Sequence, residues 1–305
     1  MSAASQSPLI SVERLRFHAN LASSGLLCFN VKSKKNKKSG ISEEVTVPSI
    51  ADADNRDSVK IAADIFRRIG VTGTSKQLSA QKAGSEFEVA CREFLRATFL
   101  QLSHLRPGKW DVASLSARSR LGLADYEQYA HLAAVAKACA ADPELSAALG
   151  QDYLIAPDLI VVRGLEPDSR INLEGFPVVD ENVARNASIR LANGGKPLLH
   201  ASISCKFTMR SDRAQNSRSE ALNLIRSRKG RVPHIAVVTA EPLPSRLASL
   251  ALGTGDMDCV YHFALPELRA AIDAVGGDDS KESIRIMVDG KRLRDIADLP
   301  LDLAI

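Results

Sequence analysis

The 305-residue sequence predicts a mixed α/β fold, in which helices flank a central β-sheet and the N-terminal part is largely helical. Helical and strand-like patterns alternate through the second half of the chain, as they do in folds where helices cover a sheet. Hydrophobic residues make up 45% of the chain, which is enough for one sizeable core. The chain has no apolar run of about 18 residues, so no transmembrane helix is predicted.

The first half of the sequence carries mainly helical patterns. Apolar residues recur at helical spacing along residues 57–70, which predicts a helix. They do so again along residues 81–102, which predicts a second, long helix. An Ala-rich stretch at about 124–140 predicts a third helix, and a short helix is expected after Pro143. Residues 1–50 are polar and irregular, and their pattern predicts no regular element.

The second half alternates between strand and helix. Residues 153–163 are a compact β-branched run that predicts a strand, and residues 164–197 are rich in Gly, Asn and Pro and predict a loop. Residues 198–207 alternate apolar with polar side chains, which predicts a strand. The elements predicted after it are a helix over 219–229 between a Ser219 cap and Gly230, a strand over 234–241, a helix over 244–252, a strand over 259–263, a helix from Pro266 and a strand over 283–288.

Cysteine usage and the N-terminus both favour a cytoplasmic protein. The five cysteines are scattered and none lies in a CxxC pair, so buried thiols are expected rather than a zinc site or a disulfide framework. Glu13 and Arg14 interrupt what would be the apolar core of a signal peptide.

Positive charge is concentrated in one segment. The formal net charge is only +4, but residues 205–231 hold eight cationic against two acidic side chains. Such a patch is typical of a surface that binds a polyanion, although a solvated basic helix face is the ordinary alternative. The run KSKKNKK at 32–38 is more typical of a solvated loop.

Asp158, Lys206 and Glu220 form a candidate catalytic set. Hydrolysis of a phosphodiester needs carboxylates that hold Mg²⁺ and an ammonium group beside the charged phosphorane. Asp158 and Lys206 lie in two neighbouring predicted strands, so one edge of the sheet is expected to bring them together. Taken singly, an Asp after Pro is common in turns, and a Glu at a helix start interacts favourably with the helix dipole.

Ser204 stands where many nucleases carry their second acid, two residues before the lysine and on the same strand face. A hydroxyl cannot replace a carboxylate as the ligand of a hard cation, so the missing acid must come from elsewhere. Glu220 opens the next predicted helix and is the candidate for it.

The segment Arg210-Ser211-Asp212-Arg213 follows the strand that carries Lys206. Arginine binds guanine O6 and N7 bidentately and aspartate accepts from cytosine N4, so this segment is suited to reading two adjacent C·G pairs. An Asp is repelled by phosphate, which favours a base contact over a backbone contact. An intramolecular Arg–Asp ion pair is the alternative.

Three stretches together resemble one family. PDLIVVR, SISCKFTMRSDRAQNSRSEALNLIR and PHIAVVTAEPLPSRLASLALGTGDMDCVYHFAL are similar to the type II restriction endonucleases of the NgoMIV type, which cut at CCGG-cored sites and belong to the PD-(D/E)XK superfamily. The resemblance runs from about residue 80 to the C-terminus and is dense after 198. It implies a restriction-endonuclease-like fold, and in this family the second acid has moved to a helix, which accounts for Ser204.

The resemblance implies a role for each residue of the catalytic set. Asp158 and Glu220 would hold two Mg²⁺ ions together with the backbone carbonyl of Cys205, whose side chain packs behind the strand. Lys206 would be the catalytic lysine. Ser204, at the position of the displaced acid, is kept among the candidate catalytic residues.

It also implies roles in DNA recognition. Arg210, Asp212 and Arg213 would read the CCGG core, Arg246 the outer guanine in the major groove, and Gln81 the minor groove. The expected site is GCCGGC in double-stranded DNA, cut to leave 5′ overhangs.

Organisation and assembly follow from the same resemblance. Residues 1–305 are expected to form a single endonuclease domain with its catalytic and DNA-recognition core over 80–305, and residues 1–75 have no assigned role. Glu88, with Glu86 as the alternative, would be an accessory acid near the metals. The resemblance implies a bacterial, cytoplasmic homotetramer built from two dimers, and a two-fold dimer matches a palindromic site.

Two other functions are compatible with the residues. A repair nuclease on the same fold would cut by structure, but it would have no use for a base-reading Arg-Ser-Asp-Arg segment. A DNA-binding protein without catalysis would have no reason to carry Asp158, Lys206 and Glu220 together.

Overall fold

A computed structural model describes residues 7–35, 42–75, 78–115, 122–149, 157–209, 211–253 and 255–305. The helices are α1 Leu9–Ser23, α2 Arg56–Ile69, α3 Ala80–Thr98, α4 Leu132–Ala141, α5 Pro143–Leu149, α6 Asp168–Ile171, α7 Ser211–Ser227, α8 Pro244–Ala251, α9 Leu265–Val275, α10 Asp278–Asp289 and α11 Leu299–Asp302. The strands are β1 Phe29–Lys35, β2 Ser42–Pro48, β3 Thr74–Ser75, β4 Trp110–Ser114, β5 Leu159–Arg163, β6 Leu198–Lys206, β7 His234–Thr239, β8 Cys259–His262 and β9 Leu293–Asp295.

The central sheet is mixed and has the strand order β4-β5-β6-β7-β8-β9. Strands β4, β5 and β6 pair antiparallel, and β6 to β9 pair parallel. Leu159 at the start of β5 pairs with Ile203 near the end of β6. Because these two strands run in opposite directions, the residue that precedes β5 meets the last residues of β6 at one end of the sheet.

One buried core joins the N-terminal part to the central sheet. In β5, Leu159, Ile160 and Val161 are fully buried, as expected of a strand covered on both faces. The ring of Phe87 on α3 lies 6.4 Å from that of Phe17 on α1 and 5.6 Å from that of Phe207, just after β6. Helix α3 is therefore packed between α1 and the end of the strand that carries Lys206.

The polar N-terminal stretch is more regular than its sequence predicts. It holds α1 and a hairpin of β1 and β2, to which β3 adds as a parallel strand. Arg14 on α1 makes ion pairs with Glu267 at 2.6 Å and with Asp295 at 2.8 Å. His18 on the same helix bonds the Phe263 carbonyl oxygen at 2.8 Å. These contacts attach the first helix to the C-terminal third of the chain.

The strand predicted over 283–288 is wrong, because this segment belongs to helix α10. Ile284 and Met287 are buried while Ile286 is 46% exposed, so the apolar contact follows a spacing of three and not of two. Strand β9, which the sequence analysis missed, follows this helix.

Two helix predictions need correction. The helix predicted at 124–140 is two 3-10 turns, Gly122–Asp125 and Glu127–Tyr129, followed by α4. Helix α7 begins at Ser211 and not at Ser219, so Ser219 lies inside the helix and is not its cap.

The remaining predictions agree with the structure. The helices expected over 57–70, 81–102 and 244–252, after Pro143 and from Pro266 are present, and so are the strands expected over 198–207, 234–241 and 259–263. The strand expected over 153–163 is β5, which begins at Leu159; residues 153–156 lie outside the described residues. The loop over 164–197 contains short helical turns and two isolated β-bridges, Glu166 with Arg190 and Leu173 with Phe176.

The α/β fold class with a mixed central sheet between helices is thus confirmed. All five cysteines are free and buried. Within the described part of the chain, no helix has the length and apolar character needed to span a bilayer.

His262, the last residue of β8, is buried without a charge. It is fully inaccessible, its Nδ1 accepts the Ala264 N–H at 3.1 Å, and burial lowers the pKa of the ring to about 4. An unfolded histidine titrates near pH 6.5. Between about pH 6.5 and 4 the unfolded chain therefore takes up a proton that the folded chain does not, and stability falls as pH falls through this window.

We expect His262→Asn to weaken this pH dependence, because the amide keeps an acceptor for the Ala264 N–H but has no ionisable ring. Urea unfolding at pH 7 and pH 4.5 measures the change in the free energy of unfolding for each protein. The chain should lose more stability on acidification than the variant. The exposed His104, changed to Asn, is the control and should leave the pH dependence as it is. An unchanged pH dependence in His262→Asn would contradict the assignment.

Candidate active site

Asp158 lies immediately before β5 and is held by the end of β6. Its Oδ2 atom accepts the Cys205 backbone N–H at 2.7 Å and the Lys206 ammonium group at 2.9 Å, with the Ser204 hydroxyl at 3.4 Å. The antiparallel register of β5 and β6 produces this contact, since Leu159 pairs with Ile203. The structure therefore brings together the acid and the lysine that the sequence analysis placed on neighbouring strands.

Lys206 ends β6 and its side chain is only 18% exposed. Burial by itself lowers the pKa of the ammonium group, but the nearby carboxylates of Asp158 and Glu220 outweigh it and raise the pKa. The lysine is therefore held in its charged form between two acids.

Glu220 approaches the same place from helix α7. Burial raises the pKa of its carboxyl group, the charge of Asp158 raises it further, and the ammonium group of Lys206 opposes both. Glu220 and Ser204 also line one small cavity together with Ser217. The helix thus presents an acid next to the strand position where Ser204 takes the place of one.

Glu88 on α3 belongs to the same electrostatic neighbourhood. Burial raises the pKa of its carboxyl group, a hydrogen bond from Ser114 and the charge of Lys206 lower it, and the charge of Asp158 raises it. Glu86 is two residues away, about 200° around the helix, and so projects from the other side. Of the two acids named for the accessory role, Glu88 faces Asp158.

The donor set fits a hard divalent cation. Asp158, Glu220 and Glu88 supply carboxylate oxygens around a single lysine, and burial together with the charge of Asp158 raises the pKa of both glutamates. N–H and C=O of one strand residue point to the same side, so the Cys205 carbonyl is directed toward Asp158 as its N–H is. Among the described residues, no three acid, His or Cys side chains converge on one point.

The Cys205 thiol is not part of this donor set. The residue is 6% exposed, and its side chain is on the opposite face of β6 from Lys206. Burial and the neighbouring Cys91 raise the pKa of the thiol, which therefore stays protonated and packs behind the strand as expected.

Arg246, on α8, is tied down by contacts that the sequence did not reveal. Its Nη1 donates to the Met209 carbonyl at 2.9 Å and lies 3.6 Å from Glu241, and its Nη2 forms an ion pair with Asp52. Asp52 follows β2, 194 residues earlier in the chain. No local pattern marks Asp52, because its partner is distant in sequence and a lone Asp after a strand is typical of a turn.

A cleft of about 290 Å³ opens at Arg246. Its lining includes Asp52, Met209, and Ala80 and Ala83 of α3. Gln81, predicted to approach the minor groove, is exposed on the first turn of α3 beside this cleft.

The predicted readers of the CCGG core are only partly covered by the structure. Arg210 lies outside the described residues. Asp212 and Arg213 lie in the first turn of α7, and their side chains are outside the described part of the chain.

Arg218 fastens α7 to the end of α8. Its Nε donates to the Ser249 carbonyl at 3.0 Å and its Nη1 to the Asp256 carboxylate at 2.6 Å, and Nη2 reaches the Leu250 and Leu252 carbonyls. Gly253 has φ +118°, and a Cβ there would lie 3.0 Å from the Arg218 guanidinium. This anchor, two residues from Glu220, was not apparent from the sequence.

Comparisons with known proteins show the family of this chain. A family model described as NgoMIV restriction enzyme matches residues 31–305. The chain is 51% identical over 298 residues to the type II restriction enzyme NgoMIV of Neisseria gonorrhoeae, which covers 98% of this chain and 99% of that protein.

Two solved structures are more distant. The type IIF restriction endonuclease Bse634I with cognate DNA is 12% identical with a TM-score of 0.40, covering 90% of this chain and 97% of that chain. The restriction endonuclease PspGI in a complex with substrate DNA is 16% identical with a TM-score of 0.28, covering 97% and 92%.

We expect Arg218→Ala to destabilise the protein by about 1.5–3 kcal/mol, because it leaves the buried Asp256 carboxylate without its charged donor. Urea unfolding of the variant against the chain gives this difference. Arg226→Ala, at an exposed position of the same helix, is the matched control and should cost less than about 0.5 kcal/mol. Equal losses in the two variants would contradict the anchoring role.

Proposed function

Since this chain belongs to the NgoMIV family of type II restriction endonucleases, and is therefore a site-specific deoxyribonuclease, we propose that it cuts double-stranded DNA at GCCGGC and leaves 5′ overhangs. The observation that supports the chemistry best is the cluster of Asp158, Lys206 and Glu220 at one end of the central sheet. Family membership sets aside both a non-catalytic DNA-binding protein and a nuclease that cuts by DNA structure.

The proposed cofactor is Mg²⁺, two ions per active site, and restriction endonucleases generally use a divalent metal. Asp158, Glu220 and the Cys205 carbonyl would hold the ions, because they are the hard oxygen donors directed to this end of the sheet. Bound there, the metal supplies an activated water and neutralises charge on the phosphate.

Lys206 is the proposed catalytic lysine. Its pKa is raised, so it carries a full positive charge at neutral pH beside the metal acids. A fixed cation is most effective where negative charge develops during the reaction, which here is the attacked phosphate. Glu88 would support this arrangement from α3 as an additional acid, and the Ser204 hydroxyl would help to orient Asp158.

Base reading is assigned to two segments. Arg210, Asp212 and Arg213 would read the CCGG core, because they combine two bidentate guanine donors with one cytosine acceptor. Arg246 would read the outer guanine, and Gln81 would approach the minor groove. Support for the second pair comes from the cleft: Arg246 lines it, and Gln81 is the neighbour in sequence of Ala80, which also lines it.

We further propose that residues 1–305 act as one endonuclease domain in the bacterial cytoplasm. The continuous core from Phe17 to Leu303 supports a single domain. The chain would work as a homotetramer of two dimers, each bound to one palindromic duplex.

The loop between β5 and β6 supports the tetramer. Leu173 is 66% exposed and Phe176 is 65% exposed, and three more apolar side chains are close by: Val178, Val183 and Leu191. Internal bonds hold the conformation of the loop: the buried Arg190 forms a bidentate ion pair with Asp168 at 2.6–2.7 Å. An ordered loop that exposes so many apolar side chains is typical of a subunit interface, and we assign it to a second copy of this chain.

We expect Lys206→Ala to lower the rate of DNA cleavage by at least about a thousandfold, because it removes the ammonium group that lies 2.9 Å from Asp158. Plasmids with and without GCCGGC, incubated in Mg²⁺ and separated on a gel, measure cutting and its specificity. Lys281→Ala, at an exposed position of α10, is the control and should give the same discrete fragments as the chain.

A gel shift with cognate DNA in Ca²⁺ shows whether the Lys206 variant still folds and binds. Undiminished cutting by Lys206→Ala would refute the catalytic assignment. A smear of fragments from the unchanged chain would refute sequence-specific cutting.

We expect Phe176→Glu to break the tetramer, because a carboxylate cannot be buried in an apolar interface without a partner. Sedimentation equilibrium should give about four times 32.9 kDa for the chain and about half that mass for the variant. Glu174→Lys, two residues away in the same loop, is the control for a charge change as such. A monomeric chain, or a tetrameric Phe176→Glu, would contradict the assignment.

A further inference from the structure

Glu241 is a buried carboxylate that has no part in the proposed catalytic set. It follows β7, is fully inaccessible, and accepts the Met209 N–H at 2.9 Å on Oε2 and the Leu243 N–H at 3.1 Å on Oε1. These partners belong to different segments, since Met209 follows β6 and Leu243 precedes α8. One carboxylate therefore joins the ends of two neighbouring parallel strands.

Both backbone polar groups of Met209 are bonded to side chains. Glu241 accepts its N–H, and Arg246 donates to its carbonyl oxygen at 2.9 Å. Met209 is 1% exposed, and its carbonyl carbon is bonded to the nitrogen of Arg210. The guanidinium that would read the outer base pair is thus in contact with the peptide that leads into the core-reading segment.

Electrostatics make this arrangement sensitive to the position of Arg246. Burial raises the pKa of Glu241 to about 7, and the Met209 N–H and Arg246 work against that shift. A buried acid is costly unless it is paired and hydrogen-bonded, so a displacement of Arg246 weakens the compensation of Glu241. The hydrogen bond from the Met209 N–H to Glu241 would then weaken.

We propose that Glu241 is a positioning residue that determines specificity: it couples Arg246, the reader of the outer base pair, to the segment that begins at Arg210 and reads the core. This inference rests on the proposed function of Arg246 and Arg210. The inference adds that Arg246 and the Arg210 segment do not act independently. The Glu241 carboxylate and the backbone of Met209 contact each other, and Arg246 contacts both of them.

Coupling between the two readers can be measured from how binding losses at the outer and the core base pairs combine. For readers that act independently at separate base pairs, the losses in binding on changing each pair add. In a coupled pair, a variant that disturbs one reader also changes discrimination at the base pairs that the other contacts.

Glu241→Gln is the first test. The amide has a single acceptor oxygen, so either Met209 or Leu243 faces an NH₂ group in place of an acceptor. Dissociation constants are measured in Ca²⁺ for GCCGGC, for a duplex with the outer pair changed, for one with the core changed, and for unrelated DNA. We expect the preference for GCCGGC to fall about tenfold against both altered sites, with binding to unrelated DNA unchanged.

Glu282→Gln, in an exposed ion pair on α10, is the matched control and should leave every ratio unchanged. Arg246→Lys is the second test: it leaves Glu241 itself in place and changes only the guanidinium that contacts Glu241 and the Met209 carbonyl. Coupling predicts that it lowers discrimination at the core as well as at the outer pair, while independent readers predict a loss at the outer pair alone. If Glu241→Gln does not fold, Arg246→Lys still tests whether the two readers are coupled, since independent readers would leave discrimination at the core unchanged.

The outcomes separate this inference from the function beneath it. If the unchanged chain shows no preference for GCCGGC over the altered duplexes, the proposed function fails. If the chain discriminates but neither variant affects the core, the readers are independent and the coupling role of Glu241 is refuted.

Discussion

The rest of the site depends on the hydrogen bonds between the Asp158 carboxylate and the end of β6. It stands where β5 begins and β6 ends, and it accepts both the Cys205 N–H and the Lys206 ammonium group. This contact needs the two strands to be antiparallel and in one register. A slip of one residue would turn Lys206 to the opposite face of the sheet, so pairing along β5 and β6 decides whether the site exists.

The second acid depends on a different part of the fold. Glu220 comes from α7, so its position is decided by how that helix docks and not by strand register. Arg218 provides the anchor, because it binds Asp256 and the carbonyls at the end of α8. The helix that follows the lysine strand is thereby fixed to the helix that carries Arg246. An acid supplied by a helix therefore connects the proposed metal site to the proposed recognition elements.

The sequence predicts the contact between Asp158 and Lys206, because each lies on one of two neighbouring predicted strands, and the structure confirms it at 2.9 Å. The catalytic role of this pair, and of Glu220 as the acid displaced from the Ser204 position, stays a prediction. Sequence reasoning fails where only tertiary contacts decide. The apolar alternation of residues 283–288 fits a strand equally well, and only the burial of Ile284 and Met287 identifies a helix. The partners Asp52 and Glu241 carry no local signal.

A crystal structure with a GCCGGC duplex in Ca²⁺ would show whether the three side chains act together, since Ca²⁺ occupies Mg²⁺ sites and slows cleavage. We expect ions bound by the carboxylates of Asp158 and Glu220 beside the scissile phosphate, with the Lys206 ammonium group against the same phosphate. A complex in which these two carboxylates share no ion cluster, or in which Lys206 points away from the DNA, would contradict this expectation.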